Sequence, residues 1–430
     1  MRRTCPDWGV SRQGLTRVLM TLMALATWGL AGSFSSVAIG AELAEGLTAE
    51  ELADGWISLF DGQTLDGWKQ VGKADWRVED GAIVVSQGEV SFLQTTAQFS
   101  DYVLRVEFRA DPGTNSGVFL RTSPLPKDVL QECYELNIAG QDNPFPTGSL
   151  VQRIKRAGAP TTGEWQQFDV RVEGARITVS LDGQQIVEYE DPQPLGRGYI
   201  SLQHNQGPVA FRKIYLKPLG LQPIFNGQDL SGWSEAGRRE AQFAVTADKT
   251  LQVTGGPGQL ESAGQYGDFV LQFAARTPTA ETNSGLFFRC IPGDQLMGYE
   301  SQIHHGYLEG DRNRPADGGT GGIFRRQPAR RVMTDPGEWF YETLVVTGPR
   351  MSVWVNGRLV TDWVDTRGDD PNPRRGRRLA AGTLMLQGHD PTTSAEFRGV
   401  QVAELAPRRP AGTGAGAAAG AAVGEQPDGK

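Results

Sequence analysis

Apolar and polar residues alternate with period two along most of the chain. Tyr102, Leu104, Val106 and Phe108 share one face of a predicted strand, with Arg105, Glu107 and Arg109 on the other, facing solvent or a concave surface. The pattern returns at Phe269, Leu271, Phe273 and Ala275, 167 positions on (269 − 102). Ile177, Val179 and Leu181 run into Asp182-Gly183, and Met351, Val353 and Val355 run into Asn356-Gly357. Apolar alternation ending in Asp-Gly or Asn-Gly predicts a tight hairpin. No apolar run at helical spacing stands out beyond the N-terminal region. Short strands separated by turn signals predict an all-β chain built as an antiparallel sandwich.

The whole pattern is doubled. Thr114-Asn115-Ser116-Gly117-Val118-Phe119-Leu120-Arg121 reappears as Thr282-Asn283-Ser284-Gly285-Leu286-Phe287-Phe288-Arg289, displaced by 168 (283 − 115). The opening Leu59-Phe60-Asp61-Gly62 with Leu65-Asp66-Gly67-Trp68 answers to Ile224-Phe225-Asn226-Gly227 with Leu230-Ser231-Gly232-Trp233. The offset grows from 165 at Glu135 and Glu300 to 174 at the hairpins, which confines insertions to loops; the largest is expected after Gln302. Residues 52–219 and 220–406 are read as two copies of one domain, after a leader (1–41) and a linker (42–51). The Gly/Ala-rich segment 407–430 cannot bury enough side chain to offset ordering entropy and is expected to be disordered.

The leader has export character: Arg2, Arg3, Arg12 and Arg17 precede an apolar run from Val18 to Ala31, with small residues at Ala38 to Ala41. A periplasmic or extracellular protein is expected, with no membrane association after cleavage. A net charge of −8 argues against nucleic acid as a partner. Cys5 leaves with the leader, and Cys133 and Cys290 occupy non-equivalent places, so both are expected as buried unpaired thiols. No spacing suggests a metal or other cofactor. The ten Trp and 55 Gly suit a turn-rich β protein.

Chemistry gathers at three places. Asn115 with Arg121 is matched by Asn283 with Arg289. Tyr134-Glu135-Leu136-Asn137 is matched by Tyr299-Glu300-Ser301-Gln302, putting a carboxyl and a carboxamide on one sheet face. Such a pair accepts from and donates to sugar hydroxyls, and a Glu near Arg can act as acid or base; the same residues also fit a structural ion pair. Third, Lys155 in the first copy and Arg325 in the second follow Gly-containing turns. Only the second copy has His304 and His305, aligned with Ala139 and Gly140; His389 aligns with Asn205.

At these residues the chain resembles the family once called DUF1080 and now described as 3-keto-disaccharide hydrolase, or 3-keto-glucoside 1,2-lyase and 2-hydroxy-glucal hydratase. Leu-Phe-Asp-Gly to Gly-Trp at Leu59–Trp68, Asn115-Ser116-Gly117, Tyr134 to Ile138, Pro146 to Leu150, Gly163-Glu164-Trp165, Gly298 to His304 and Gly319 to Arg325 carry the likeness. The resemblance implies tandem concanavalin A-like jelly rolls and an oxidised disaccharide or glycoside as substrate. A ketone at C3 acidifies the C2 proton, so elimination of the C1 substituent and hydration cleave the glycoside. By that chemistry Glu300 and His304 would share proton transfer, with Arg289 or Arg325 near the enolate. Asn283, Gln302, His305 and Tyr299 would bind the sugar. The first copy would rely on Glu135, Arg121 and Lys155, with Asn115, Asn137 and Tyr134, and no nearby histidine. A non-catalytic, lectin-like carbohydrate binder and an adhesion module are the alternatives.

Overall fold

Two-residue Asp182-Gly183 and Asn356-Gly357 turns place both central residues at positive φ (49° and 80°; 48° and 77°), the geometry that matches strand twist. They close the hairpins Arg176–Leu181/Gln184–Glu190 and Arg350–Val355/Arg358–Val364. The structure, a computed structural model, describes residues 46–156 and 163–410. The leader with Cys5, and residues 411–430, lie outside the described residues.

Each copy is a sandwich of an eight-stranded back sheet and a five-stranded front sheet, all antiparallel. In the first, Tyr102–Ala110 lies mid-sheet between Trp165–Glu173 and Val209–Pro218. The front sheet runs Trp68–Val71, Ser91–Thr95, Tyr199–Gln206, Asn115–Thr122, Tyr134–Ala139. The second repeats it: Trp233–Arg239, Gly258–Tyr266, Gly382–Gly388, Ser284–Cys290, Tyr299–Ile303. These are the expected tandem jelly rolls.

The predicted faces hold. Tyr102, Leu104, Val106 and Phe108 are fully buried against Val118, Leu120, Leu136 and Ile138, each large apolar side chain contributing about 1.5–3 kcal/mol. Arg105, Glu107 and Arg109 lie on the outer face, where Arg109 and Arg212 stack on Trp165. The opening motif has a mechanical reason. Asp61 and Asn226 accept two backbone N–H groups each, forming Asx turns. The Trp68 and Trp233 indoles then donate back to Leu59 O (2.6 Å) and Ile224 O (2.8 Å), tying front sheet to back.

Both sandwiches belong to one compact unit. Trp354 donates to Ser58 O (3.0 Å) and packs near Phe99, Ser58 N donates to Gly357 O, and Arg197 pairs with Asp268 at 2.6 Å. Two expectations change. The linker region runs into a helix, Ala49–Ala53, held by a Thr48–Glu51 capping box, and Leu52 packs with Leu47 and Tyr215. At the far end, residues 407–410 are not loose: Arg408 and Arg409 bind the first sandwich, because their guanidinium groups satisfy backbone carbonyls there. Cys133 and Cys290 are buried and free, as expected.

Candidate active site

The front sheet of the second repeat floors a hollow of about 450 Å³. The Ser284–Cys290 and Tyr299–Ile303 strands pair with Phe287 opposite Glu300 and Gly285 opposite Gln302, so Glu300 and Gln302 project to one side. Gly285 leaves the space that the Glu300 carboxyl fills: a Cβ there would stand 2.6 Å from Oε1.

Glu300 is 7% exposed. Burial and then the Asp317 carboxylate push its pKa up to about 8, while Arg374 and Arg325 pull it down. The shift favours the protonated carboxyl near neutral pH. Asp317 is held by Asn283 Nδ2 (2.7 Å) and Gln302 Nε2 (2.9 Å). Gln387 and His389 line another wall. His389 Nδ1 contacts Asp390 Oδ2 at 2.8 Å. Arg325 is exposed on the rim with its guanidinium 5.2 Å from the Phe324 ring centroid.

The rim also owes a cation to a loop the repeats do not share. The offset rises from 165 (300 − 135) to 173 (320 − 147) after Gln302, but from 174 (355 − 181) to 184 (382 − 198) after Asp365. The largest insertion is therefore 366–381, and not the one after Gln302. Arg367 is paired with Asp365 and, with Arg326, donates to the Pro373 and Arg374 carbonyls. This fixes Pro373 and Arg374 on the hollow.

Among the expected site residues, Asn283, Tyr299, Glu300, Gln302 and Arg325 line the hollow. Arg289 does not. It is fully buried, donating to Gly267 O and Gly348 O and pairing with Asp268 at 2.8 Å. Arg121 makes the same clamp with Ser100 O, Gly174 O and Asp101. Both sit at positive φ (47° and 49°), which turns the strand-end cation inward. Tyr134 and Tyr299 donate their hydroxyls to Asp191 and Asp365 and so tether loops.

His304 and His305 also fall outside the hollow lining. His305 is buried between Thr320 (2.9 Å) and Thr334 (2.7 Å), edge-on to Phe340. Burial, with help from His304 and Arg312, depresses its pKa to about 3, so it stays neutral. His304 Nδ1 accepts from Gly306 N. In the first repeat Glu135 is half-buried and pushed up to about 7 by burial. Asn137 donates to Phe145 O, Asn115 is half-buried and Lys155 is exposed. Gln152 and Asn205 stand where Arg325 and His389 do, and Asp317 lies in an insertion the first repeat lacks. Asp317, Arg374 and Gln387 escaped the sequence reading; the jump in offset after Asp365 was the available signal for Arg374.

Among the described residues no cluster of His, Cys, Asp or Glu is arranged to hold a metal, and no helix is long and apolar enough to cross a membrane.

Fold and site define a tandem jelly-roll sandwich with a carboxyl-floored cleft in its second repeat. The chain belongs to the 3-keto-alpha-glucoside-1,2-lyase-like domain family, whose model matches residues 55–217 and 220–403. It is 25% identical over 230 residues to a 3-keto-disaccharide hydrolase of Bacteroides thetaiotaomicron, covering 39% of this chain and 79% of that protein. It is 25% identical over 232 residues to an extracellular exo-alpha-L-arabinofuranosidase of Streptomyces chartreusis, 50% of this chain and 26% of that protein. A solved carbohydrate binding module, CBM66 of Bacillus subtilis, is 16% identical with a TM-score of 0.29, over 35% of this chain and 95% of that one.

Proposed function

We propose that the second repeat cleaves 3-keto-glycosides by elimination and hydration. One observation carries the reading: the buried carboxyl of Glu300 floors a hollow also walled by His389 and rimmed by Arg325 and Arg374. His389, its Nδ1 engaged by Asp390, takes the C2 proton of the substrate. The C1–O bond breaks, its electron pair leaves with the oxygen, and Glu300 supplies that oxygen with a proton. Arg325 and Arg374 face the charge that develops on the enolate. Water then adds across C1 and C2. Asp317 acts through Glu300, keeping it protonated until the leaving group needs the proton.

The name of the Bacteroides relative and the family description support this substrate class. The basic, apolar leader and the extracellular Streptomyces relative support export. Purified full-length protein mixed with a 3-keto-disaccharide should release free sugar. Glu300→Gln and His389→Ala should each slow release by roughly 10²-fold or more. Wild-type rates in both variants would sink the assignment.

A further inference from the structure

In the second repeat the 366–381 insertion folds back on the front sheet, and Arg378 donates to Arg289 O (3.0 Å) and Ala381 O (3.3 Å). The matching loop of the first repeat, 192–197, is too short to fold back. Its place is taken from outside. Arg408, beyond the last strand of the second repeat, donates to Arg121 O (3.0 Å) and Arg197 O (3.4 Å). Arg121 matches Arg289 (289 − 121 = 168) and Arg197 matches Ala381 (381 − 197 = 184). Arg408 thus sets its guanidinium where Arg378 sets its own.

The neighbouring contacts agree. Arg197 N donates to Ala406 O (3.1 Å) and Arg409 N to Leu195 O (3.0 Å), pairing the segment with the loop. Gly196, at φ 71°, admits it, since a Cβ there would lie 2.0 Å from Pro407 O. Arg409 reaches Leu130 O (3.4 Å) and Gln131 Oε1 (3.1 Å), much as Arg374 reaches Leu296 O, which matches Gln131 (296 − 131 = 165).

The face so edged keeps the recognition groups and the carboxyl of the second repeat and lacks its histidine base and the Arg325 cation. Gln203 matches Gln387, is 7% exposed and leaves its Oε1 unpartnered. Asn137 Oδ1 is also buried and unpartnered. Glu135 stands at the Glu300 position, but Asn205 replaces His389 and Gln152 replaces Arg325. Unsatisfied buried carbonyl oxygens ask for donors, and sugar hydroxyls supply them.

We propose that the front face of the first repeat is a binding site for the same oxidised sugars, one that does not cleave them, and that Arg409, on the segment Arg408 anchors, completes its rim. The proposal rests on the substrate class read for the second repeat. The test is calorimetric titration of a 3-keto-disaccharide into full-length Glu300→Gln protein, where slow turnover preserves the ligand. Two sites per chain are expected. Adding Gln203→Leu, or Arg408→Ala with Arg409→Ala, should leave one, while in the Glu300 background these changes keep turnover within about twofold of wild type. A single site in the Glu300→Gln protein overturns the proposal, as does a second site that survives both sets of changes. Absence of any binding overturns it too. Sugar release by the wild-type chain judges the enzymatic reading separately.

Discussion

Gly285→Ala isolates the position of one carboxyl from the stability of the fold. The new Cβ would stand 2.6 Å from Glu300 Oε1, 3.0 Å from Cγ and 3.2 Å from Cδ, whereas ordinary contact begins at 3.4 Å. The carboxyl must retreat by 0.8 Å (3.4 − 2.6). Gly285 is not among the residues at positive φ, and the obstructing atoms end a side chain that can swing. The strand should therefore tolerate Ala, with a change of about 1 kcal/mol or less in either direction. Catalysis should not tolerate it. A displacement of about 1 Å costs on the order of 10²-fold in rate, or about 2.7 kcal/mol of transition-state stabilisation. Gly117→Ala in the first repeat is the control, because its Cβ would meet Glu135 Cγ only at 3.5 Å and Leu136 O at 3.1 Å. The assay is kcat/KM on a 3-keto-disaccharide beside a thermal melt. Retention of turnover within about threefold by Gly285→Ala, with the melt unchanged, would refute the geometric argument.

Other outcomes follow from the same structure. Arg289→Ala should lower unfolding free energy by roughly 2–4 kcal/mol in denaturant titration, since the part-buried Gly267 and Gly348 carbonyls lose their donor while Asp268 keeps Arg197. Turnover per folded molecule should remain, which a catalytic Arg289 would not allow. Glu342, fully buried and bonded to Ser301, has its pKa pushed up to about 8 by burial. The folded state then holds a proton that the unfolded chain has released, so stability falls as pH rises from about 4.5 to about 8. Glu342→Gln should flatten that slope in melts across the range; an unaltered slope counts against a raised pKa. Removing Asp317 as Asp317→Asn should move the alkaline limb of the kcat/KM profile to lower pH, because the neighbouring charge that raises the Glu300 pKa is gone.

The fold was legible because its grammar is local. Period-two alternation at Tyr102–Phe108 and Gly-containing turns at positions 182–183 and 356–357 name strands and hairpins without tertiary information. Duplication then supplied an internal alignment, and Glu300 emerged from it. Arg121 and Arg289 misled for a physical reason. An arginine closing an apolar strand looks exposed, yet a left-handed bend and a ring of carbonyls make burial affordable here. The histidine pair misled likewise, since Thr320 and Thr334, distant in sequence, satisfy His305 in the interior. Asp317 and Arg374 were hidden by the internal alignment itself. They occur in insertions, and a repeat comparison is blind to what only one copy has.

Cys290 Sγ lies 2.4 Å from where a Cβ on Gly298 would stand, and the matching pair in the first repeat is Thr122 with Cys133. Each half thus plugs one spot with sulfur, from opposite strands. Grafting the Tyr134–Ala139 strand with Cys133 into the second half would crowd two sulfur atoms into that spot, and the reciprocal graft would leave neither. Exchange of this one strand between the halves should therefore cost stability in both directions, by overpacking in one and a cavity in the other.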